Sequence, residues 1–558
     1  MESPFQDHVT SPEWMAAVRE GLYEALRIAE RVRIECGISR GELVGRPASD
    51  FLAHVLSELE KRAAAEASRG YGRYRWLWYL RRLPADVFDG ELATTGIYDR
   101  SLAEVLATRG AGHERSVGRP TSDGMFPIDG TVVKRIGWLF GFTKGVSQFH
   151  VNHRVAGKGG SLAFDYRAPG LPFPACRMRR LAPLEHEIAE FDQRVARQRI
   201  FSRSGIPIDP SDHSATHQAN GLFLVSRITG PPLILVPPQL GLNQMAAMRY
   251  HPEFLPVDEL REYLSHPLLG SAVPWSSELT PIISLLCLGA IAFARSPISR
   301  RNLLTAGYTI LPRKDFDAYY EQARDDFREL QPLLTVFPED LSGLALSDQL
   351  LPLEGQPFPL LSGPVAFTAP DEMIGIDLCN ASERLADLLT FPRVDGDQAR
   401  VRGQPFEKIV QREIDRTLWN PPDTVRDLIG HHFKKDGQMI GEVDAFGAND
   451  KTLLLVSCKS IIYTPEHDRG NFNVVKNARE TIEKSVAQFA RLERHFTDAS
   501  VRPGEYDFSA YDRIVSIVTT PQAFFIQEPL LSETALPGLR RYSSFEEFRE
   551  WLSGFSPA

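Results

Sequence analysis

The chain has 558 residues, 43% of them apolar and 24% charged. That is a length for roughly two to four domains and a composition that excludes a disordered chain, a collagen or a coiled-coil rod. Lys and Arg number 63 against 72 Asp and Glu, a formal charge of −9, so any contact with nucleic acid must be a local patch. Five scattered cysteines (Cys36, Cys176, Cys287, Cys379 and Cys458), with no CxxC pair, exclude a disulfide scaffold and a zinc ribbon and fit a reducing, cytoplasmic setting.

The first residues, Met1 to Asp7, carry no basic run followed by an apolar stretch, so no secretory signal is expected. Residues 13–110 read mainly as helix, with Trp14, Val18, Leu22 and Leu26, and then Phe51, Val55, Leu56 and Leu59, recurring at helical spacing. A helical N-terminal domain is expected over residues 1–115. From about residue 116 the texture turns to Gly, Pro and short β-rich runs, among them Ser161–Phe164, Leu222–Ser226 and Leu233–Val236. Helical spacing returns at 258–264, 281–294 and 316–333. The most apolar window, Pro281–Ala294, would span about 21 Å as a helix against a hydrocarbon core of about 30 Å, so a buried core helix is expected and no membrane contact. A hairpin is expected from Val365–Phe367 to Ile374–Leu378. The polar stretch Arg393–Gln398 reads as a linker. This gives a mixed α+β middle region, 116–395, and a C-terminal domain, 400–558.

The informative stretch begins at Gly403-Gln404-Pro405, where a helix is expected to start. Phe406, Ile409, Val410, Ile414, Thr417 and Leu418 form one apolar arc on it. Glu407 falls at the edge of that arc and Glu413 near its middle. An acid in a buried stripe needs a positive partner or a metal, although an acid early in a helix also favours its dipole. Next come Gly441-Glu442-Val443-Asp444-Ala445-Phe446 and Leu453-Leu454-Leu455-Val456-Ser457-Cys458-Lys459, which read as a hairpin with a four-residue connection. Alternation places Glu442, Asp444 and Phe446 on one face and Leu455, Ser457 and Lys459 together on the partner strand. A turn centred between Asn449 and Asp450 would set Asp444 opposite Leu455, with Ser457 diagonal at roughly 7–8 Å and Lys459 a step beyond. A carboxylate and an ammonium then meet at the end of an apolar strand pair. A plain Lys459–Asp444 ion pair would account for that as well.

Glu407, Glu442-Val443-Asp444 and Ser457-Cys458-Lys459, in this order on helix, strand and strand, resemble the PD-(D/E)xK nucleases of the restriction-endonuclease-like superfamily. The resemblance covers roughly residues 400–525. It implies an α/β domain with a mixed sheet flanked by helices, ordered α-β-β-β-α-β, behind a large α-rich and α+β N-terminal region. The later periodic run Val475, Ala478, Ile482, Val486, Phe489 and Leu492 and the strand-like Ile514–Thr520 fit that order. It also implies magnesium or manganese held by Asp444 and Glu407, with the Cys458 carbonyl as a further ligand. Lys459 would then orient the attacking water. The family's acid two residues before the lysine is Ser457 here, and Glu442 is the residue placed to replace it. The activity implied is hydrolysis of nucleic-acid phosphodiesters, DNA before RNA, in restriction, repair or defence against foreign DNA such as phage, with a homo-oligomer as one arrangement. The alternative is a nuclease-like fold that has lost its chemistry and serves binding or assembly.

Lys476, Arg479 and Lys484, on the helix after Lys459, could meet phosphates or form a solvated face. Residues 400–558 hold 21 Lys and Arg against 23 Asp and Glu, so this domain is not broadly basic. The stretch Arg73 to Arg82 alternates aromatic and basic residues and suits either base stacking or a core helix. Arg194, Arg197, Arg199 and Arg203 form a second basic cluster. His150 and His153 lack a third ligand. Gly157-Lys158-Gly159-Gly160-Ser161 lacks the first glycine and the Ser or Thr of a phosphate-binding loop.

Overall fold

A computed structural model of the chain describes residues 3–39, 41–84, 87, 96–111, 126–166, 175–179, 182–198, 206–208, 221–228, 233–235, 246–256, 276–330, 365–369, 373–390, 398–461 and 463–555. The architecture is mixed α/β. No described helix is long and apolar enough to cross a membrane.

Five helices share the first core: α1 (Pro12–Glu35), α2 (Arg46–Gly70), α3 (Arg73–Leu80), α4 (Gly96–Gly110) and α5 (Gly130–Gly157). Ser11 caps α1 by accepting the Trp14 N–H. Helices α1 and α5 cross at backbone contact, since a Cβ on Gly141 would stand 1.8 Å from the Val18 carbonyl oxygen and one on Gly21 2.0 Å from that of Trp138. The helical core thus runs past residue 115 to take in α5. Two small residues at the crossing make this possible, and helical spacing does not report it. In α3, Tyr74, Trp76, Leu77, Trp78, Tyr79 and Leu80 are all buried, so the aromatic-basic stretch is core, with Arg75 stacked over Tyr71. Strands β1 (Glu42–Val44), β2 (Ser161–Tyr166) and β3 (Ala175–Arg179) form an antiparallel sheet beside this core.

Helix α6 (Ala182–Gln198) follows. Strands β4 (Ile206–Pro207), β5 (Gly221–Arg227) and β8 (Tyr250–Pro256) make a sheet in the order β4-β8-β5, and β6 (Leu233–Leu235) pairs with β7 (Ala246–Met248). The apolar window lies in α7 (Ser276–Arg295), whose residues from Ile282 to Phe293 form the centre of the second core. It is flanked by α8 (Pro297–Ala306), β9 (Tyr308–Pro312), α9 (Arg313–Leu330), the hairpin β10 (Ala366–Ala369) and β11 (Met373–Asp377), and α10 (Leu378–Thr390). The helical spacing at 258–264 and most of the Arg393–Gln398 linker lie outside the described residues.

The remaining elements hold the candidate site. They are α11 (Gln398–Asp415), α12 (Asp423–Arg426), the hairpin β12 (His432–Lys435) and β13 (Gln438–Glu442), β14 (Ala445–Asn449) and β15 (Thr452–Cys458). After these come α13 (Pro465–Arg469), α14 (Phe472–Asp498), β16 (Val501–Arg502), β17 (Tyr506–Asp507), β18 (Arg513–Thr520), β19 (Thr534–Leu536), β20 (Leu539–Arg540), β21 (Tyr542–Ser544) and α15 (Phe545–Ser553). Helix α11 starts at Gln398 instead of Gly403 and runs through Pro405. A proline there removes one helical hydrogen bond, while the buried stripe Phe406, Val410 and Ile414 holds the rest of the helix down.

A four-stranded mixed sheet, β14-β15-β18-β21, is antiparallel at its first pair and parallel at the next two. Leu454, Val456 and Cys458 pack on one face with α11 and α15. Leu453 and Leu455 pack on the other with Phe489, Leu492 and Phe496 of α14. Burial on both faces is why β15 is an unbroken apolar run. This part is also joined to what precedes it: Leu184, Ile188, Phe191 and Val195 of α6 share a core with Tyr463, Val475 and Phe524.

Candidate active site

The connection between β14 and β15 is two residues, Asp450-Lys451, with Asp450 in the left-handed region at φ 50° and Asn449 paired with Thr452. The expected four-residue connection is thereby corrected. The register moves by two residues, so Asp444 lies beside Ser457 instead of Leu455. The expected common face of Glu442, Asp444 and Phe446 is corrected too. Val443 and Phe446 enter the same core, which strict alternation forbids, so the strand breaks between β13 and β14.

That break turns the Asp444 carboxylate onto the end of β15. The Asp444 N–H donates to the Val456 carbonyl at 3.2 Å, and Oδ2 accepts the Cys458 N–H at 2.6 Å and the Ser457 hydroxyl at 3.4 Å. The side chain takes over where the backbone ladder stops. The Lys459 N–H donates to the Thr519 carbonyl at 2.9 Å, anchoring the lysine to β18, and its Nζ stands 3.8 Å from Asp444 Oδ2.

Helix α11 brings Glu407 to this corner, and Gln411 fixes the helix there. The Gln411 amide donates to the Phe446 carbonyl at 3.1 Å and accepts the Phe446 N–H at 2.9 Å. This pair of hydrogen bonds closes the outer edge of β14, which has no strand on that side among the described residues. Glu407 lies one helical turn before Gln411. Spacing did not single out Gln411. Its signal is a polar residue next to Val410 in a buried stripe.

Burial raises the Glu407 carboxyl above its ordinary range, and the Asp444 and Glu442 charges add to the rise while Lys459 opposes it. Burial also raises Asp444. Lys459 and the Cys458 N–H oppose that rise and Glu442 adds to it. Both acids bind a proton more tightly folded than unfolded, so their contribution to stability is present at low pH and is lost as pH rises through the raised values. At neutral pH the ionised pair destabilises the fold. Asp444→Asn and Glu407→Gln are therefore expected to raise the melting temperature at pH 7, with the gain shrinking at pH 4. Calorimetry at the two pH values checks this, and a lower melting temperature for both variants at pH 7 would contradict it.

The donor chemistry suits a hard divalent cation. Two carboxylates held together against repulsion are relieved by a double positive charge, and magnesium commonly binds through one or two carboxylates, waters and substrate phosphate. Among the described residues no three His, Cys, Asp or Glu side chains gather into a ready-made ligand cluster. Glu442, expected as the replacement acid, lies 3.5 Å from His432 Nδ1 and is half-exposed, while its charge still reaches Asp444 and Glu407. The Cys458 thiol is buried with α11. Burial, then the Asp444 and Glu407 charges, push it far up, so its side chain stays protonated.

The other residues singled out in the sequence fall elsewhere. Glu413 pairs with Arg416 at 2.8 Å, and Leu418 is exposed, off the arc expected for it. Lys476 and Lys484 pair with Glu480 at 3.6 and 3.5 Å, and Arg479 pairs with Glu483 at 3.6 Å and bonds to Gln527. Their charge is balanced along the outer face of α14. Arg194 is buried against Glu547 at 2.7 Å, and Arg199 and Arg203 lie outside the described residues. His153 bonds to Ser49 at 3.1 Å, and burial pushes His150 and His153 down to about 3 and about 4. Lys158 is buried at the end of α5 and pushed down to about 7. One residue earlier, a Cβ on Gly157 would stand 1.8 Å from the carbonyl oxygen of Gly470, which caps α13, so the end of α13 rests directly on α5. No family model matches this chain, and no curated protein or solved structure is detectably similar to it.

Proposed function

We propose that this chain is a metal-dependent nuclease of the PD-(D/E)xK type, with magnesium or manganese as its cation and residues 1–395 serving recognition or control. The observation that carries the reading is the placement of Lys459 Nζ 3.8 Å from the Asp444 carboxylate, with Glu407 from a separate helix within electrostatic reach. Asp444 and Glu407 would hold the cation, with the Cys458 carbonyl and Glu442 as further oxygen donors. A cation so held lowers the pKa of water and polarises a phosphoryl oxygen. Lys459 holds a positive charge beside the carboxylates, suited to steady a water and to offset charge growing on phosphate. Half-burial of the corner strengthens that field. A role in restriction, repair or defence follows from the family analogy alone.

The test is a panel of plasmid, linear duplex and RNA with and without magnesium or manganese, run beside an Asp444 variant. Cleavage that needs the metal and Asp444 supports the reading, and no cleavage under any metal overturns it.

A second reading, a nuclease-like fold kept for binding, is favoured by Ser457, whose hydroxyl stands where the family has an acid and bonds to Asp444 at 3.4 Å. Ser457→Asp separates the two. In an active site one charge short, it is expected to lower the metal concentration for half-maximal cleavage by about tenfold, the scale on which groups around a metal change affinity. If wild type cleaves, an unchanged metal requirement would show that the serine is not the limitation.

A further inference from the structure

The hairpin β12–β13 forms a two-stranded sheet of its own and ends two residues before Asp444. Its two-residue turn, Asp436-Gly437, has both residues in the left-handed region at φ 51° and 80°, the geometry of a tight, twisted ribbon. Phe433 anchors the base, fully buried against Phe496 and Tyr506. Beyond it, Lys434 pairs across with Met439 and Lys435 with Gln438, and all four are exposed, Met439 at 57%. Among the described residues neither lysine makes an ion pair. Arg502 donates to the Lys434 carbonyl, and burial, then the charges of Arg502 and Lys435, depress the nearby His495. The acids near the base are engaged: Glu442 with His432, and Glu505 with Arg502 at 2.8 Å. In a domain with no net basic character, the exposed end of the ribbon carries two lysines, one acid in its turn, Asp436, and one exposed apolar side chain, Met439.

We propose that this ribbon enters the major groove of duplex DNA, with Lys434 and Lys435 on backbone phosphates and Met439 against base edges. The inference rests on the nuclease reading and names its substrate. A B-form major groove about 12 Å wide admits a two-stranded ribbon, whereas the deep, narrow groove of an RNA helix does not. From the Lys434–Met439 pair the chain runs five residues to Asp444, about 17 Å as strand, so a groove contact would position a nearby phosphodiester at the acidic corner.

The test uses the full chain and a 30-base-pair DNA duplex, with binding measured by fluorescence anisotropy across a salt series and cleavage followed in magnesium. Single-stranded DNA and duplex RNA serve as the other arms. The double variant K434Q/K435Q lies on the exposed part of the ribbon, and circular dichroism confirms its fold. It is expected to bind duplex DNA about tenfold more weakly and to flatten the salt dependence by about two units of slope. Wild-type affinity and slope in the variant would overturn the proposal, as would tighter wild-type binding to RNA or single strands, or no binding of duplex DNA at all. Duplex binding that weakens as expected, with no cleavage under any metal, would sustain the ribbon and overturn the nuclease reading.

Discussion

Replacing Asp444 with alanine is expected to reduce metal-dependent cleavage by about two to three orders of magnitude, and Lys459→Ala by a similar factor, the scale seen when one preorganised group is removed from a site. The two losses differ in kind. Without Asp444 the corner loses the carboxylate that accepts the Cys458 N–H at 2.6 Å, so higher metal concentration should recover little. Without Lys459 the carboxylates remain, but Asp444 loses the ammonium that opposes its upward shift. The acid side of the pH–rate profile should then move to higher pH. A Lys459→Ala profile that superimposes on wild type in shape and position would show that the lysine does not share a field with Asp444. Cleavage unchanged in both variants would locate the activity at another site.

Arg81→Met is expected to destabilise the N-terminal half by about 3–5 kcal/mol, the cost of leaving buried acids without their partner. Arg81 is fully buried, with Nη2 2.9 Å from Glu104 and 2.6 Å from Asp377, and Nη1 donates to the Ala306 carbonyl at 2.6 Å. It ties the end of α3 to α4 through Glu104, and to α8 and β11 beside the second core through Ala306 and Asp377. Arg227 still reaches Glu104 at 2.9 Å, so the uncompensated charge falls mainly on Asp377. Burial already raises that carboxyl to about 6, and its Oδ1 accepts the Asn380 N–H at 3.0 Å at the start of α10. Trp76 and Trp78, buried on the same helix, report the loss in a denaturant titration followed by fluorescence. A midpoint within the error of wild type would contradict the assignment of Arg81 as the ion that holds the two cores together.

What was readable in the sequence depended on whether it was local. The doubly covered strand β15 shows directly in Leu453–Cys458, and the buried helix α7 shows in its length and lack of charge. The convergence of Asp444 and Lys459 was readable too, because a short hairpin links them. Its register was not, since a left-handed Asp450 shortens the connection and no spacing rule chooses between two and four residues there. The break at Val443 was equally hidden, being set by the core that both Val443 and Phe446 enter. Gln411 could be found only by asking why an amide lies beside Val410, and its partner is a backbone 35 residues away. The ambiguity of Arg73 to Arg82 was of another sort. Aromatic and basic residues at helical spacing suit stacking on bases and packing in a core equally well, and only the fold, which sets Tyr74 and Trp78 edge-on to Phe126, separates these. The contacts of Arg81 with Glu104, Ala306 and Asp377 span three separate stretches of chain, beyond any local pattern.

The most direct measurement is calorimetric titration of the full-length chain with manganese, in the absence of nucleic acid, beside Asp444→Asn and Glu407→Gln. A single class of binding in the wild type, lost in Asp444→Asn and weakened in Glu407→Gln, is the result expected of a cation held by these two acids. Equal binding by all three proteins, or none by the wild type, would contradict it.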